Sequence, residues 1–378
     1  MRKKIYLISI VIIIITILPL LLKRIFTDNS EYSKDITTTE ETIYWDCTNV
    51  TEDELNISSI FQNYSLLPLE NSEESLVGHI SKIEIYDNLL FLLDEKYLAR
   101  VFVFNANNGK FIRTIGKIGQ GPGEYLGLND FSIDKDNKKI HFLCEQNMIY
   151  TYSLDGHFFN IKKMPFYASN MEYQNGRFYF RCDIRSTHHL IITDEDINII
   201  SKHLKTDIYK NADRRQIHHF QKRGEGITFH RFLDNNIYKI NQDGKLYIGY
   251  QLYLGDDAKN MEEVSNLTSQ EIKERLKREI TYYKYFSENN KYAFVVFIKK
   301  GIPYISIYNK LTNHSQTYKY HNLKNDFLNN DDLLLEYESH TNGFLGTLSL
   351  ETIDWLTSKG KLLSTDSYET NPVLIHLE

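Results

Sequence analysis

Proline and cysteine are scarce in this chain: its 378 residues include six prolines and three cysteines. An odd number at such low density implies no disulfide framework, so a packed core must hold the fold. Cys144 ends the run Ile140-His141-Phe142-Leu143-Cys144, and Cys182 follows Phe178-Tyr179-Phe180-Arg181. Both read as buried free thiols on strands; a Cys144–Cys182 bridge is the alternative outside the cytoplasm. Cys47 stands alone. An excess of positive charge is also missing. The formal net charge is −6, which gives no general attraction to nucleic acid or to anionic lipid. Two catalytic signatures are absent as well: the Gly-x-Ser-x-Gly of a nucleophile elbow and the Gly-Lys-Ser/Thr of a P-loop. Aromatic residues, in contrast, are abundant, with 27 Tyr and 21 Phe. Both suit half-buried pleated surfaces and tilt the class towards β.

Glycine is concentrated in one place. The stretch Gly116-Lys117-Ile118-Gly119-Gln120-Gly121-Pro122-Gly123-Glu124-Tyr125 lies between the strand-like runs Val101–Phe104 and Phe131–Asp134. Clustered glycines mark backbone forced into positions that a Cβ forbids, and Pro122 pushes Gly121 towards an extended shape. A phosphate cradle would need a helix directly after the glycines, and Leu126 to Asp134 reads as turn and strand. The stretch is therefore a shaped connector between β units. Glu124 is placed to accept hydrogen bonds from N–H groups that the turn leaves unpaired.

At the N-terminus Arg2, Lys3 and Lys4 precede an apolar run from Ile5 to Leu22, long enough to cross a bilayer as a helix. No small-residue cleavage pattern precedes Lys23-Arg24, which favours an uncleaved anchor over a signal peptide. The three N-terminal charges favour this end inside and the bulk of the chain outside. The expected division is an anchor or signal over 1–24, a polar linker over 25–56, interrupted by Trp45 and Cys47, and a single β domain over 57–378.

Within that domain short apolar runs alternate with Asn-Gly and Asp-Gly turns, the strongest short hairpin signals. A local motif recurs: Val103 to Phe111, Tyr150 to Phe158 and Tyr238 to Leu246 each end on a Gly-containing turn. The first two copies are 47 residues apart from Gly109 to Gly156, a spacing typical of propeller blades. Two segments break the β pattern. Lys202 to Arg223 is polar and basic. Asp256 to Tyr283 contains one helix after Thr268, where Thr268 and Glu271 have capping-box spacing and Ile272, Leu276 and Ile280 share a face. That face predicts packing on the domain, with a partner-binding helix as the alternative.

The run Gly119-Gln120-Gly121-Pro122-Gly123-Glu124-Tyr125 resembles the signature of a six-bladed β-propeller family found in envelope proteins of gut-type bacteria, with an NHL/TolB-like architecture. The lead-in Gly109-Lys110-Phe111 to Gly116, the strand text Leu233 to Tyr238 and the closing Asn371-Pro372-Val373-Leu374-Ile375 are similar to further parts of that family. The resemblance covers residues from about 57 onward. It implies a six-bladed all-β propeller with one inserted helix and an envelope location, and no particular chemistry. Many members begin with a lipoprotein signal; this chain lacks the cysteine that would carry the lipid.

Candidate chemistry is sparse. His188-His189 and His218-His219 suggest a metal, but adjacent strand residues point to opposite faces, and solvated or loop histidines are the simpler reading. Arg214, Arg215, His218, His219, Lys222, Arg223, His230 and Arg231 form the one basic, aromatic-bearing segment, suited to a ligand or partner. No catalytic residue, metal site or cofactor is assigned. The expected function is a membrane-anchored binding module outside the cytoplasm, with a protein or glycan partner and no nucleic acid. The alternatives are a propeller hydrolase or lyase with a metal in the central channel, and a sensory module, for which no signalling domain is found. Converging His, Asp, Glu and Asn in the channel would favour the enzyme.

Overall fold

Six sheets, each beginning with an antiparallel hairpin pair, are arranged as blades around an axis. The computed structural model describes residues 36, 38–182, 186–205, 220–223, 226–259, 263–264, 266–328, 333–338, 343–348, 350–360 and 371–378. Blade 1 comprises Lys82–Tyr86, Leu89–Asp94, Arg100–Asn105 and Phe111–Ile115. Blade 2 comprises Leu128–Asp134, Lys139–Cys144, Met148–Ser153 and Phe158–Lys163. Blade 3 comprises Ala168–Gln174, Arg177–Cys182, His188–Asp194 and Ile199–Lys205. Blade 4 comprises Phe220–Arg223, Gly226–His230, Asn236–Ile240 and Leu246–Tyr253, and blade 5 Tyr282–Glu288, Tyr292–Lys299, Ile302–Asn309 and His314–Lys319. Blade 6 comprises Leu333–Glu338, Phe344–Leu348, Val373–Leu377 and, from the other end of the sequence, Tyr64–Pro68. The first strand of each blade lies innermost, beside the first strands of its neighbours. The three motif copies fall on the third strand and following turn of blades 1, 2 and 4. Gly109, Gly156 and Gly244 there have φ of 70°, 92° and 78°, and Phe104, Tyr152 and Ile240 are buried between blades.

The ring closes by joining the two ends of the domain, as closure of a propeller requires. Tyr64–Pro68 pairs antiparallel with Val373–Leu377, with Leu66 opposite Ile375. The segment before it corrects the expected linker. Thr38–Asp46 adds to blade 4 as a fifth strand parallel to Leu246–Tyr253, and Val50–Thr51 adds likewise to blade 5 beside His314–Lys319. Leu55–Asn56 then pairs with Leu323–Lys324. Residues 38–68 thus form a belt along blades 4, 5 and 6. The overall composition of this segment is polar, but its alternation is that of a strand: Glu41, Tyr44 and Asp46 are exposed while Trp45 is 1% exposed. The Trp45 indole packs on Tyr250 and Tyr308 at 6.0 and 5.5 Å and donates from Nε1 to Ser306 Oγ at 3.0 Å. The expected membrane helix over 1–24 lies outside the described residues. Among the described residues no helix is long and apolar enough to cross a membrane.

The helix Ser269–Arg278 has the expected capping box, with Thr268 Oγ1 accepting from Glu271 N and the Glu271 carboxylate accepting from Thr268 N. Ile272, Leu276 and Ile280 pack on Leu233 and Val264, so the apolar stripe is occupied by the protein itself. The expectation of a single helix needs correction. Leu350–Ser358 forms a second one between two strands of blade 6, and its Leu356 is fully buried in the core shared by blades 5 and 6.

Candidate functional site

The glycine-rich connector joins the outer strand of blade 1 to the inner strand of blade 2 and is held by its own hydrogen bonds. Gly121 N donates to Glu124 Oε2 at 2.9 Å, Glu124 N donates to Gly121 O at 2.9 Å, and Lys117 Nζ lies 3.2 Å from Glu124 Oε1. The Gly121 N–H, followed by Lys117, holds the Glu124 carboxyl below its ordinary range. Gly119 and Gly121 leave room for that carboxylate: a Cβ on Gly119 would come within 2.0 Å of Glu124 Oε2. Tyr125 is buried and donates to Ala99 O at 2.9 Å, which ties the connector to blade 1. Tyr152 donates to Gly123 O at 2.8 Å, which ties it to blade 2. Pro122 is exposed at its tip. The connector therefore joins two blades structurally.

The described side chains of the basic segment, Lys222, His230 and Arg231, are engaged in different places. Arg214, Arg215, His218 and His219 lie outside the described residues, and of Arg223 only the backbone, opposite Gly226, is described. His230 is 1% exposed, with its ring 5.7 Å from that of Tyr283. Arg231 is ion-paired with Asp234 and lies over the Tyr238 ring, while Tyr283 donates to its carbonyl at 2.5 Å. These groups belong to the packing between blades 4 and 5. Lys222 points elsewhere, into the centre of the ring.

There the inner strands of four blades meet through charge. Lys222 Nζ lies 2.5 Å from Glu84 Oε1 of blade 1, 2.9 Å from Ser132 Oγ of blade 2 and 3.1 Å from Glu172 Oε2 of blade 3. Lys82 Nζ of blade 1 lies 2.6 Å from Glu172 Oε1 and 3.2 Å from Asp130 Oδ1, and donates to Phe131 O at 2.7 Å. Ser132 Oγ donates to Glu172 Oε2 at 2.7 Å and accepts from Tyr173 N at 2.9 Å. Asp130 Oδ2 accepts from Met171 N at 2.8 Å. Burial alone would pull both lysines down, but the surrounding carboxylates more than reverse it and raise them. Burial likewise opposes ionisation of Glu172, yet Lys222 and Lys82 hold it down at about 2. At Asp130 burial prevails over Lys82, and its carboxyl is raised.

A lysine acting as nucleophile or general base must lose its proton readily. These two are held charged, and Glu84, Asp130 and Glu172 each have a lysine ammonium within 3.2 Å. Among the described residues the cluster is a charge-paired bridge that joins the inner strands of blades 1 to 4 across the ring. Among the described residues no three His, Cys, Asp or Glu side chains are placed to hold a metal ion. His188 and His189 are buried on the third strand of blade 3, a correction to the solvated-loop reading, and their neighbours in the sheet account for that burial. All three cysteines are buried free thiols, and burial pushes Cys47 up to about 12.

Sequence reasoning missed the cluster because the motif copies compare third strands, and the channel is lined by first strands. A signal was present: Lys82 and Glu84, and Asp130 and Ser132, alternate with apolar residues at period two, and Glu172 stands between Met171 and Tyr173.

Residues 41–378 match the family model described as "Domain of unknown function (DUF4934)". The chain belongs to this family. No curated protein matches it. Among solved structures it is similar to the "Putative exported protein" of Bacteroides fragilis NCTC 9343, at 21% identity and a TM-score of 0.72, over 89% of this chain and 99% of that one. It is also similar to a member of the DUF4221 family from Bacteroides vulgatus ATCC 8482, at 11% identity and a TM-score of 0.53, over 84% of this chain and 97% of that one. At such identities the likeness shows the fold, a six-bladed propeller.

Proposed function

We propose that this propeller is a binding module of the bacterial cell envelope, anchored by residues 1–24 with its ring outside the cytoplasm. The observation that carries the binding reading is the ion-paired cluster between the inner strands of blades 1 to 4. Lys82 and Lys222 are ion-paired with the three carboxylates that converge there, Glu84, Asp130 and Glu172, which leaves recognition to the rim and the loop-bearing faces. The apolar run Ile5–Leu22 after three basic residues supports the anchor, and the description of the Bacteroides fragilis relative as exported supports the location. The second reading, a channel enzyme of hydrolase or lyase type, draws on the convergence of Glu84, Asp130 and Glu172; the two lysines among them weigh against it.

Two measurements on the full chain test this. A C-terminal alkaline phosphatase fusion is expected to be active, because that reporter needs disulfides that form outside the cytoplasm; an inactive fusion would remove the location. Elemental analysis of the detergent-purified chain, with turnover assays on envelope-type esters and glycans, is expected to find neither a stoichiometric metal nor turnover. One metal per chain, with activity lost to a chelator and restored by the metal, would establish the enzyme instead.

A further inference from the structure

The outer edges of the ring are not treated alike. Blades 4 and 5 carry added fifth strands, and blade 6 is completed by Tyr64–Pro68. Among the described residues blades 1, 2 and 3 end on four strands, with Phe111–Ile115, Phe158–Lys163 and Ile199–Lys205 outermost. Of these, Phe158–Lys163 is exposed along its length except for half-buried Lys162, and it presents Phe158, Phe159 and Ile161 at 37, 52 and 44% exposure. Lysines on an edge strand commonly guard against unwanted pairing. That role accounts for Lys162 and Lys163, and packing on Tyr152 at 5.7 Å accounts for Phe158, which leaves Phe159 and Ile161 unexplained.

The apolar surface continues onto the glycine-rich connector. Phe158 lies against Gly123, where an added Cβ would come within 2.7 Å of its ring. The Tyr150 ring is 6.3 Å from that of Phe158, and Ile161 stands opposite Tyr150 in the sheet. Lys139 Nζ is 5.7 Å from the centre of the Phe159 ring.

We propose that the outer edge of blade 2 docks an extended segment of a partner protein, with acidic and apolar residues, as a fifth strand. The proposal rests on the binding-module reading and names the surface and the partner chemistry. The ring itself supplies the precedent. The strand that blade 4 accepts, Thr38–Asp46, carries Glu40, Glu41 and Asp46 together with Ile43 and Trp45. Matching charge is offered by Lys163 on the edge of blade 2 and by Lys139 beside the Phe159 ring, while Lys162 is engaged by Glu195 O at 2.7 Å and Asp196 at 3.0 Å. In strand addition the main-chain ladder supplies affinity and alternate side chains supply specificity. A lipid surface would suit the apolar and basic side chains but would leave the N–H and C=O groups of the edge without partners.

The test uses the full chain in detergent micelles and two fluorescent peptides. One has the sequence of residues 38–46, whose own place on blade 4 is already filled; the other carries lysine at the positions of Glu40, Glu41 and Asp46. The acidic peptide is expected to bind, more weakly as salt is raised, and the lysine peptide is not. The double substitution Ile161→Asp with Lys163→Glu is expected to weaken binding by about ten-fold or more at an unchanged melting temperature. Absent binding of the acidic peptide, equal binding of both peptides, or binding indifferent to the double substitution would overturn the proposal. So would co-sedimentation with phosphatidylglycerol vesicles that depends on Phe159 and Ile161 while neither peptide binds; this would assign the surface to lipid. None of these results bears on the reporter fusion or the metal and turnover assays, so the two readings fail separately.

Discussion

Lys222 on the inner strand of blade 4 reaches across the ring to Glu84 on the inner strand of blade 1, with Nζ 2.5 Å from Oε1. Blades 1 and 4 are diametrically opposed in a ring of six, so one side chain spans the channel. On the way it meets Ser132 of blade 2 and Glu172 of blade 3. Four consecutive blades are thereby connected through a single ammonium group. Such a pair adds little net stability over an apolar replacement, because desolvation offsets the attraction, but removing one partner strands the others.

Lys222→Met is therefore expected to destabilise the fold by about 3–5 kcal/mol, the cost of leaving buried charge uncompensated. Adding Glu84→Gln should recover part of that loss. Urea denaturation of the wild type, both single variants and the double variant measures the coupling. A Lys222→Met protein as stable as the wild type would show that the channel charges are solvated.

The acid response should have two windows, and the sign is the same in both. Burial lowers His141 to about 4 from an ordinary value of 6.5, despite the nearby Asp134. The unfolded chain thus binds this proton more readily than the folded one, and stability falls as pH drops from 6.5 towards 4, by about 3 kcal/mol at most. Glu172 and Glu288 are each held near 2, so their contribution is full above the ordinary carboxylate range and is lost as pH falls from about 4.5 to about 2. Glu288 owes its ionised state to Lys239 and Lys310, which outweigh its burial. Chemical denaturation at several pH values is expected to show His141→Gln flattening the upper window and leaving the lower one.

Much of the ring was legible because it depends on local chemistry. Gly109, Gly156 and Gly244 mark turns that need positive φ, and the connector around Gly121 and Glu124 is built from bonds between residues close in sequence. Closure by the chain ends followed from the lack of free edges that a propeller demands. What was not legible depends on distant partners. Trp45 lies in polar text and is buried only because Tyr250, Ser306 and Tyr308 come to it. Lys222 read as part of a basic surface until Glu84, 138 residues away in sequence, supplied its counter-charge.

The belt yields a third expectation. A chain beginning at residue 57 should lose several kcal/mol relative to one beginning at residue 36. Deleting Trp45 alone forfeits a fully buried indole, worth about 3–5 kcal/mol, and exposes the sides of Tyr250 and Tyr308. Thermal melting of both chains and of Trp45→Ala in the longer one tests this. Equal melting temperatures would show that the fifth strands of blades 4 and 5 contribute nothing to the ring.

The glycines of the connector should differ in their tolerance of alanine, because they are required for different reasons. Gly116 has φ of 76°, and a Cβ there would come within 2.6 Å of the Tyr125 ring and 2.7 Å of the Phe142 ring, both in the core between blades 1 and 2. Gly116→Ala combines the left-handed penalty of about 1–2 kcal/mol with overpacking of about 1–3 kcal/mol. Gly121 has no such backbone demand among the described angles, and its Cβ would lie 3.1 Å from Glu124 Oε2, the end of a partly exposed side chain that can move. Gly121→Ala is therefore expected to cost much less than Gly116→Ala. Glu124→Ala, which removes the acceptor of the Gly121 N–H, should lower the melting temperature without touching the Tyr125 anchor. Differential scanning calorimetry of the three variants gives the ranking. A Gly121→Ala protein as damaged as Gly116→Ala would mean that the carboxylate is fixed by contacts beyond Gly121 and Lys117.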